Sequence, residues 1–312
     1  MIGKTVPSIL QAIGNTPLVR LNKVVQVNCA EVLVKLEYYN PAGSYKDRMA
    51  LAMIEGAEKR GDLRPGMNVV EYTGGSTGSS LACVCAVKGY RFRVVSSDAF
   101  AREKLQTMRV FGADLTIIPS QGGKITQDLI PQMVERAGAI AKEAPSFFTD
   151  QLKNTDSVKG YEQIGRELVE QVDGPIHAFC ASVGTAAMLM GVAHILRAGD
   201  PSTKIIALEP ASTPILSKGS GGIHHVEGIG IGLIPPLLNR KFFDEARGVE
   251  EAEARQMAWR LAREEGIFAG TSSGMNVVGA IALAQELGPG HTVVTVAVDS
   301  GLKYLEGDLY GQ

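Results

Sequence analysis

A chain of 312 residues, 45% hydrophobic and 21% charged, has the composition of a globular protein and is long enough to divide into two domains. A formal net charge of −2 excludes a field suited to gathering nucleic acid, and no apolar run reaches the ~20 residues that a bilayer span needs. The stretch MIGKTVPSILQAIGNTP lacks a signal peptide's apolar core, so the expectation is a cytoplasmic protein that uses neither membrane nor nucleic acid.

In chain order, the bend NPAGS (40–44) precedes Tyr45 and Lys46, and a helix is predicted over DRMALAMIEGAEKR (47–60). Strand candidates follow at NVVEYT, RFRVVSS, DLTIIPS, SFFTD, IHAFCAS, KIIALEP and TVVTVAVDS, with helix candidates between them at AREKLQTMRVFG, NTDSVKGYEQIGRELVEQV and EEAEARQMAWRLAREEG. This alternation predicts parallel sheets covered by helices. Pro131 lies inside a helical run and is expected to kink or divide it. With no linker or repeat, any division into domains must be discontinuous or tightly packed.

Ligand sites in open α/β sheets lie at the carboxyl ends of strands. Four segments carry small or polar residues at such expected ends: TGGSTG (73–78), SVGTAAM (182–188), GTSSGMN (270–276) and DSGLKYL (299–305). Together they read as the wall of one small-molecule site. In VVEYTGGSTGSSLA (69–82) a strand runs through a glycine-rich turn into a helix, where backbone N–H groups attract anions. Neither the Walker nor the dinucleotide glycine pattern is present, and no basic residue lies in the turn. A carboxylate fits it; so does a plain turn with no ligand. Lys46, near a helix amino end, reads as an amine of lowered pKa suited to imine chemistry, or as a solvated lysine beside Asp47. Cys29, Cys83, Cys85 and Cys180 form no CxxC pair and read as small buried residues. His224 and His225, in a glycine-rich loop, read as loop packing rather than metal ligands.

NPAGSYKDR resembles the N-P-x-x-S-V-K-D-R segment of the cysteine synthase (O-acetylserine sulfhydrylase) family, among the fold-type II pyridoxal-phosphate enzymes. The likeness covers nearly the whole chain. IGNTPLVRL (13–21), EYTGGSTG (71–78), SVGTAAM, VEGIGIG (226–232), AGTSSGM (269–275) and DSGLKYL match the family's landmarks in order. The resemblance implies an α/β fold of two lobes, each with a mainly parallel sheet covered by helices, as in tryptophan synthase β. Residues 1–40 and 149–312 would form the larger, cofactor-binding lobe, and 41–148 a smaller mobile lobe carrying the carboxylate turn.

It also implies pyridoxal 5′-phosphate as cofactor, with Lys46 as the Schiff-base lysine and general base. Gly184, Thr185, Ala186, Ala187 and Met188 would surround the phosphate, Ser272 would meet the pyridine nitrogen, and Ser76 and Gly228 would also line the cofactor. Thr73, Gly74, Gly75, Thr77 and Gln151 would hold the substrate carboxylate. The implied reaction is β-replacement, giving L-cysteine from O-acetyl-L-serine and sulfide through an aminoacrylate. The alternatives are a β-eliminating lyase of the dehydratase or desulfhydrase type, a synthase using another nucleophile and, more remotely, a non-catalytic adaptor. A homodimer and a serine acetyltransferase partner follow from the same likeness. The sequence departs from the family pattern at several places. Ser76 replaces an asparagine, Gly74 replaces a serine and should leave space, and Ala186, Ala187 and Met188 replace two glycines and a threonine.

Overall fold

The structure, a computed structural model, describes residues 5–123, 126, 128–230 and 232–311. The chain enters through β1 (Leu18–Arg20) and β2 (Glu31–Leu36) and turns into α1 (Lys46–Arg60). It continues through β3 (Asn68–Tyr72), α2 (Ser76–Lys88), β4 (Arg91–Ser97), α3 (Arg102–Val110) and β5 (Asp114–Ile118). Next come α4 (Leu129–Glu143), β6 (Ser146–Phe148), α5 (Asp156–Gln171), β7 (Ala178–Ser182), α6 (Ala187–Gly199) and β8 (Lys204–Pro210). The short α7 (Ile215–Lys218) leads to β9 (Glu245–Val249), α8 (Glu251–Arg260), α9 (Thr271–Leu287) and β10 (Thr292–Ala297).

The α/β architecture matches the expectation. A six-stranded sheet has the order β1-β2-β10-β7-β8-β9, and a four-stranded sheet the order β5-β4-β3-β6. Of the strand pairs among the described residues, β1–β2 is antiparallel and the others are parallel. The inner strands Val69–Tyr72, Ala178–Ser182 and Val293–Ala297 are buried along their length, as strands covered on both faces must be. One apolar cluster runs from Val69 and Leu81 through Met49, Tyr161 and Leu189 to Phe179 and Val294, so helices α1, α5 and α6 carry the core from one sheet to the other.

Three expectations change. Pro131 does not kink a helix: it is the third residue of α4, in the first turn, where its missing N–H is no loss. Beyond β1, which falls where the resemblance puts the family's opening strand at IGNTPLVRL, two strands, β2 and β9, are additions to the predicted set. The run EVLVKL hides a strand because Lys35 interrupts its apolar pattern, and EARGV carries an arginine and a glycine at the sheet edge. Cys83, Cys85 and Cys180 are buried, whereas Cys29 is only partly so.

Lys35 is wholly buried, and the reason is a charge network beneath α1. Arg48 Nε and Nη2 donate to the two oxygens of Glu37 at 2.7 Å each, while Nη1 and Nη2 donate to Glu167 at 2.6 and 2.8 Å. Lys35 Nζ lies 2.7 Å from Glu167 and donates to Thr16 O at 2.6 Å. Two cations thus meet two anions. Burial pushes the Glu167 carboxyl upward, but hydrogen bonds and charge from Arg48 and Lys35 outweigh it and hold the group down at about 2.

Glu167→Ala, which leaves Arg48 and Lys35 short of an anion, is expected to lower unfolding free energy by about 3–5 kcal/mol in urea titration. The contribution of Glu167 should be complete above the unfolded carboxylate value near ~4.3 and fade as pH falls toward the folded value of about 2. Unfolding curves from pH 7 to pH 2 on the wild type and variant would converge accordingly.

Candidate active site

Lys46 is the first residue of α1, and Ser44 Oγ accepts its backbone N–H at 3.2 Å. The side chain is 7% exposed, so the solvated reading of this lysine is excluded. Burial draws the amine down to about 8, against the pull of the Asp299 and Glu71 carboxylates. The expected direction holds, but burial is the leading cause. Nζ stands 4.9 Å from the Tyr45 ring centroid.

The glycine-rich turn leaves the end of β3 and opens α2. Thr73 Oγ1 accepts the Gly75 N–H at 3.1 Å and shapes the bend. Thr77 Oγ1 donates to Gln151 Oε1 at 2.8 Å, and Gln151 Nε2 donates to Tyr72 O at 3.2 Å. Three members of the expected carboxylate set, Thr73, Thr77 and Gln151, therefore meet at one helix terminus. Beneath them Glu71 accepts from Thr149 Oγ1 (2.6 Å), Tyr72 N (2.9 Å) and Gln151 N (3.0 Å). Burial raises this carboxyl to about 7 despite those bonds. Sequence reasoning missed Glu71, although it stands inside the quoted motif.

Gly74 does not leave space: a Cβ there would collide with the Phe100 ring, which fills the volume. A Cβ on Gly75 would come to 2.7 Å of Lys104 Cδ. Lys104, another residue the sequence reading passed over, is buried, pairs with Glu227 and lies 4.4 Å from the Tyr304 ring centroid. Ser76 Oγ donates to Asp299 Oδ2 at 3.3 Å and accepts from Lys303 Nζ at 3.4 Å.

The second turn links β7 to α6. Gly184 packs on the Gly228 carbonyl so closely that any Cβ would collide with it, and Gly230 N donates to Val183 O at 3.1 Å. Ala186 adopts a left-handed conformation, φ 69° and ψ −14°, at a cost on the order of 1–2 kcal/mol. Such strain is characteristic of a turn shaped for a ligand. Thr185 is buried at the mouth, and Ala187 opens the helix. The Met188 side chain sits in the apolar core, so this residue offers the turn only its backbone. Ser182 Oγ is buried with no hydrogen-bond partner. His224 packs within the loop: its Nδ1 accepts the Val226 N–H at 3.2 Å, leaving Nε2–H to donate to Gly230 O at 3.0 Å. Ile231 of that loop lies outside the described residues.

The segment 270–276 does not follow a strand, contrary to expectation; the bridge Ala269–Ser300 sets it beside the end of β10. Ser272 is buried in the first turn of α9. Neighbouring Ser273 Oγ accepts the Val298 N–H at 2.8 Å. Asn276 joins three elements, its Oδ1 accepting from Ser182 N at 2.7 Å and its Nδ2 donating to Val296 O at 2.8 Å. The four segments therefore form one continuous wall, with Ser76 on Asp299, Asp299 on Gly270 and Asn276 on Ser182.

This wall holds two helix amino ends, at Ser76 and Ala187, and the Ser44–Asp299 bridge brings the segment carrying the buried, readily deprotonated Lys46 amine against it. An unpartnered hydroxyl at Ser182, a glycine cradle closed to any Cβ and the left-handed Ala186 fit a phosphate-bearing carbonyl cofactor.

The model of the family described as pyridoxal-phosphate dependent enzyme matches residues 9–299. A curated protein named cysteine synthase, from Staphylococcus aureus, is 42% identical over 312 residues, covering 99% of each chain. Among solved structures, an O-ureido-L-serine synthase superposes with a TM-score of 0.92 at 33% identity, over 98% of this chain and 96% of its own. A cysteine synthase from Entamoeba histolytica gives 0.92 at 32% identity, over 99% and 92%.

The titration of Lys46 follows from its burial. In the cofactor-free protein its labelling by a small amine-selective reagent should be half-maximal near pH 8, not near the ordinary lysine value of 10.5. Mass spectrometry of the peptide carrying residue 46 across a pH series checks this.

Proposed function

Since the chain belongs to the family of pyridoxal-phosphate-dependent enzymes, we propose that it makes L-cysteine from O-acetyl-L-serine and sulfide by replacing the group on Cβ. The observation that carries the reading is Lys46: a buried amine, drawn down to about 8, on a segment bridged at Ser44 to the wall that carries both turns. Lys46 would hold pyridoxal 5′-phosphate through its aldehyde. The phosphate would rest on the backbone of Gly184, Thr185, Ala186, Ala187 and Met188, with Gly228 closing the cradle and Ser272 at the ring nitrogen. When bound, the cofactor supplies the electron sink that lets a Cα–H bond break.

This chain's residues do the rest. The Thr73 hydroxyl and the N–H groups of Gly74 and Thr77 would face the substrate carboxylate, while Gly75 gives its N–H to Thr73 to shape the bend and Gln151 accepts the Thr77 hydroxyl proton. The crowding of Gly74 and Gly75 by Phe100 and Lys104 narrows that subsite to a small planar anion. Lys46 Nζ would take the Cα proton, for which a value drawn down to about 8 suits it. Ser272, neutral where a carboxylate could stand, would hold the ring nitrogen without adding a negative charge that favours its protonation.

A four-stranded sheet carrying the carboxylate turn supports division into a mobile lobe, 41–148, and a larger one, 1–40 with 149–312. Contacts such as Lys104–Glu227 would then close over the substrate and exclude water. A homodimer, a serine acetyltransferase partner and a cytoplasmic location rest on the family likeness. No helix among the described residues is long and apolar enough to cross a membrane.

A second reading, a β-substituted alanine synthase with another nucleophile, is favoured by Phe100 standing where the family's serine side chain would lie. The O-ureido-L-serine synthase fold shows the same architecture in another synthase. Product analysis separates the readings: O-acetylserine with sulfide should yield cysteine and acetate, and a slow reaction with sulfide but a fast one with another nucleophile would overturn the first. Lys46→Ala should reduce turnover by at least ~10³-fold, with no covalent cofactor after borohydride reduction. Gln151→Ala should raise KM about tenfold with a smaller change in kcat, measured by steady-state kinetics.

A further inference from the structure

The carboxylate of Asp299 is absorbed by none of the roles above. Asp299 follows β10 and forms a bridge with Ser44, fixed by Tyr45 N–H to Val298 O (3.0 Å) and Ser300 N–H to Gly43 O (3.1 Å). Its side chain thus springs from the position opposite the residue two before Lys46. The residue is 3% exposed. Oδ2 accepts from the Tyr304 hydroxyl at 2.7 Å and from Ser76 at 3.3 Å, whereas Oδ1 is buried with no hydrogen-bond partner. Lys46 Nζ likewise makes no hydrogen bond among the described residues. A buried carboxylate oxygen lacking a donor and an amine lacking an acceptor, on segments joined by the Ser44–Asp299 bridge, are complementary deficits.

We propose that Asp299 is the counter-ion of the Lys46 nitrogen: its carboxylate stabilises positive charge on that nitrogen when the nitrogen is joined to the cofactor. Ser76 and Tyr304 hold the carboxylate in place. This inference rests on the family reading, and it gives the Ser76 departure a purpose, since the shorter hydroxyl is spent on Asp299.

Other charges face the same nitrogen, and none takes this role. Glu71 of β3 has its oxygens committed to Thr149, Tyr72 and Gln151. Asp47 also has a buried Oδ1 without a partner, while its Oδ2 accepts the Ala42 N–H at 2.7 Å, but it is the next residue of the same helix and neighbouring helix positions do not face each other. Lys303 and Lys104 are cations and oppose positive charge nearby, Lys104 being offset by Glu227. Burial pushes the Tyr45 and Tyr304 phenols upward, which keeps them neutral. Asp299 is the strongest influence raising the Lys46 amine against its burial.

The pH titration of visible absorption in the cofactor-loaded enzyme reads protonation of the linked nitrogen. Asp299→Asn is expected to lower the midpoint by about one pH unit, a tenfold loss of proton affinity, and Asp299→Glu to restore most of it. Should Asp299→Asn fail to fold, Asp299→Ser removes the same charge with fewer hydrogen-bonding demands. An unmoved midpoint in a neutral variant that retains cofactor overturns the proposal, and lost stability with an unmoved midpoint does the same by making Asp299 structural. A wild-type protein that shows no visible band with added pyridoxal phosphate sinks the family reading instead, so the two failures are distinguishable.

Discussion

The Arg48 guanidinium, clamped between Glu37 and Glu167, is the fixed point of the molecule. Glu37 follows β2, Arg48 lies in the first turn of α1 and Glu167 belongs to α5, so a single planar group joins two neighbouring elements to a third more than a hundred residues on. Its forked geometry accepts two carboxylates at defined angles, which a lysine could not do. Two residues earlier stands Lys46. The rigidity of the network below is what allows a long, flexible lysine to be aimed at one place above. Lys35 balances the second anion, and the whole group is neutral although nearly dry.

The second organising fact is that each strand-to-helix turn of the site is fixed from behind. Glu71 holds Thr149 and Gln151, and Gln151 in turn accepts from the Thr77 hydroxyl in the first turn of α2. Asn276 similarly ties the start of the cradle at Ser182 to α9 and β10. The site is therefore assembled from loops, but every loop is pinned by a buried polar side chain on a regular element. Such pinning reconciles exposure to small molecules with a fixed geometry.

Much of this was legible in the sequence because the alternation of β-rich and helical runs is a local signal. The glycine turns and NPAGSYKDR could be read for the same reason: short motifs carry their own backbone requirements. β2 was hidden because Lys35 looks like a surface residue until Glu167, more than a hundred positions later, is known to neutralise it. Gly74 looked like empty space because Phe100 fills it from a different loop. Asp299, Glu71 and Lys104 escaped notice for one shared reason: a polar residue acquires its role from burial and neighbours, and neither is written along the chain. Pro131 misled in the opposite direction, since its effect depends on where the helix begins.

The place of β10 in the six-stranded sheet constrains how the protein comes into being. It lies between β2 and β7, hydrogen-bonded to both, so the earliest paired strands cannot join the later ones until residue 297 has been synthesised. The four-stranded sheet, by contrast, is complete by residue 148. Nascent chains therefore pass through a stage with one sheet closed and the other split open, its central slot lined by the unpaired edges of β2 and β7. Such edges invite wrong partners, and during that interval protection by chaperones would matter most.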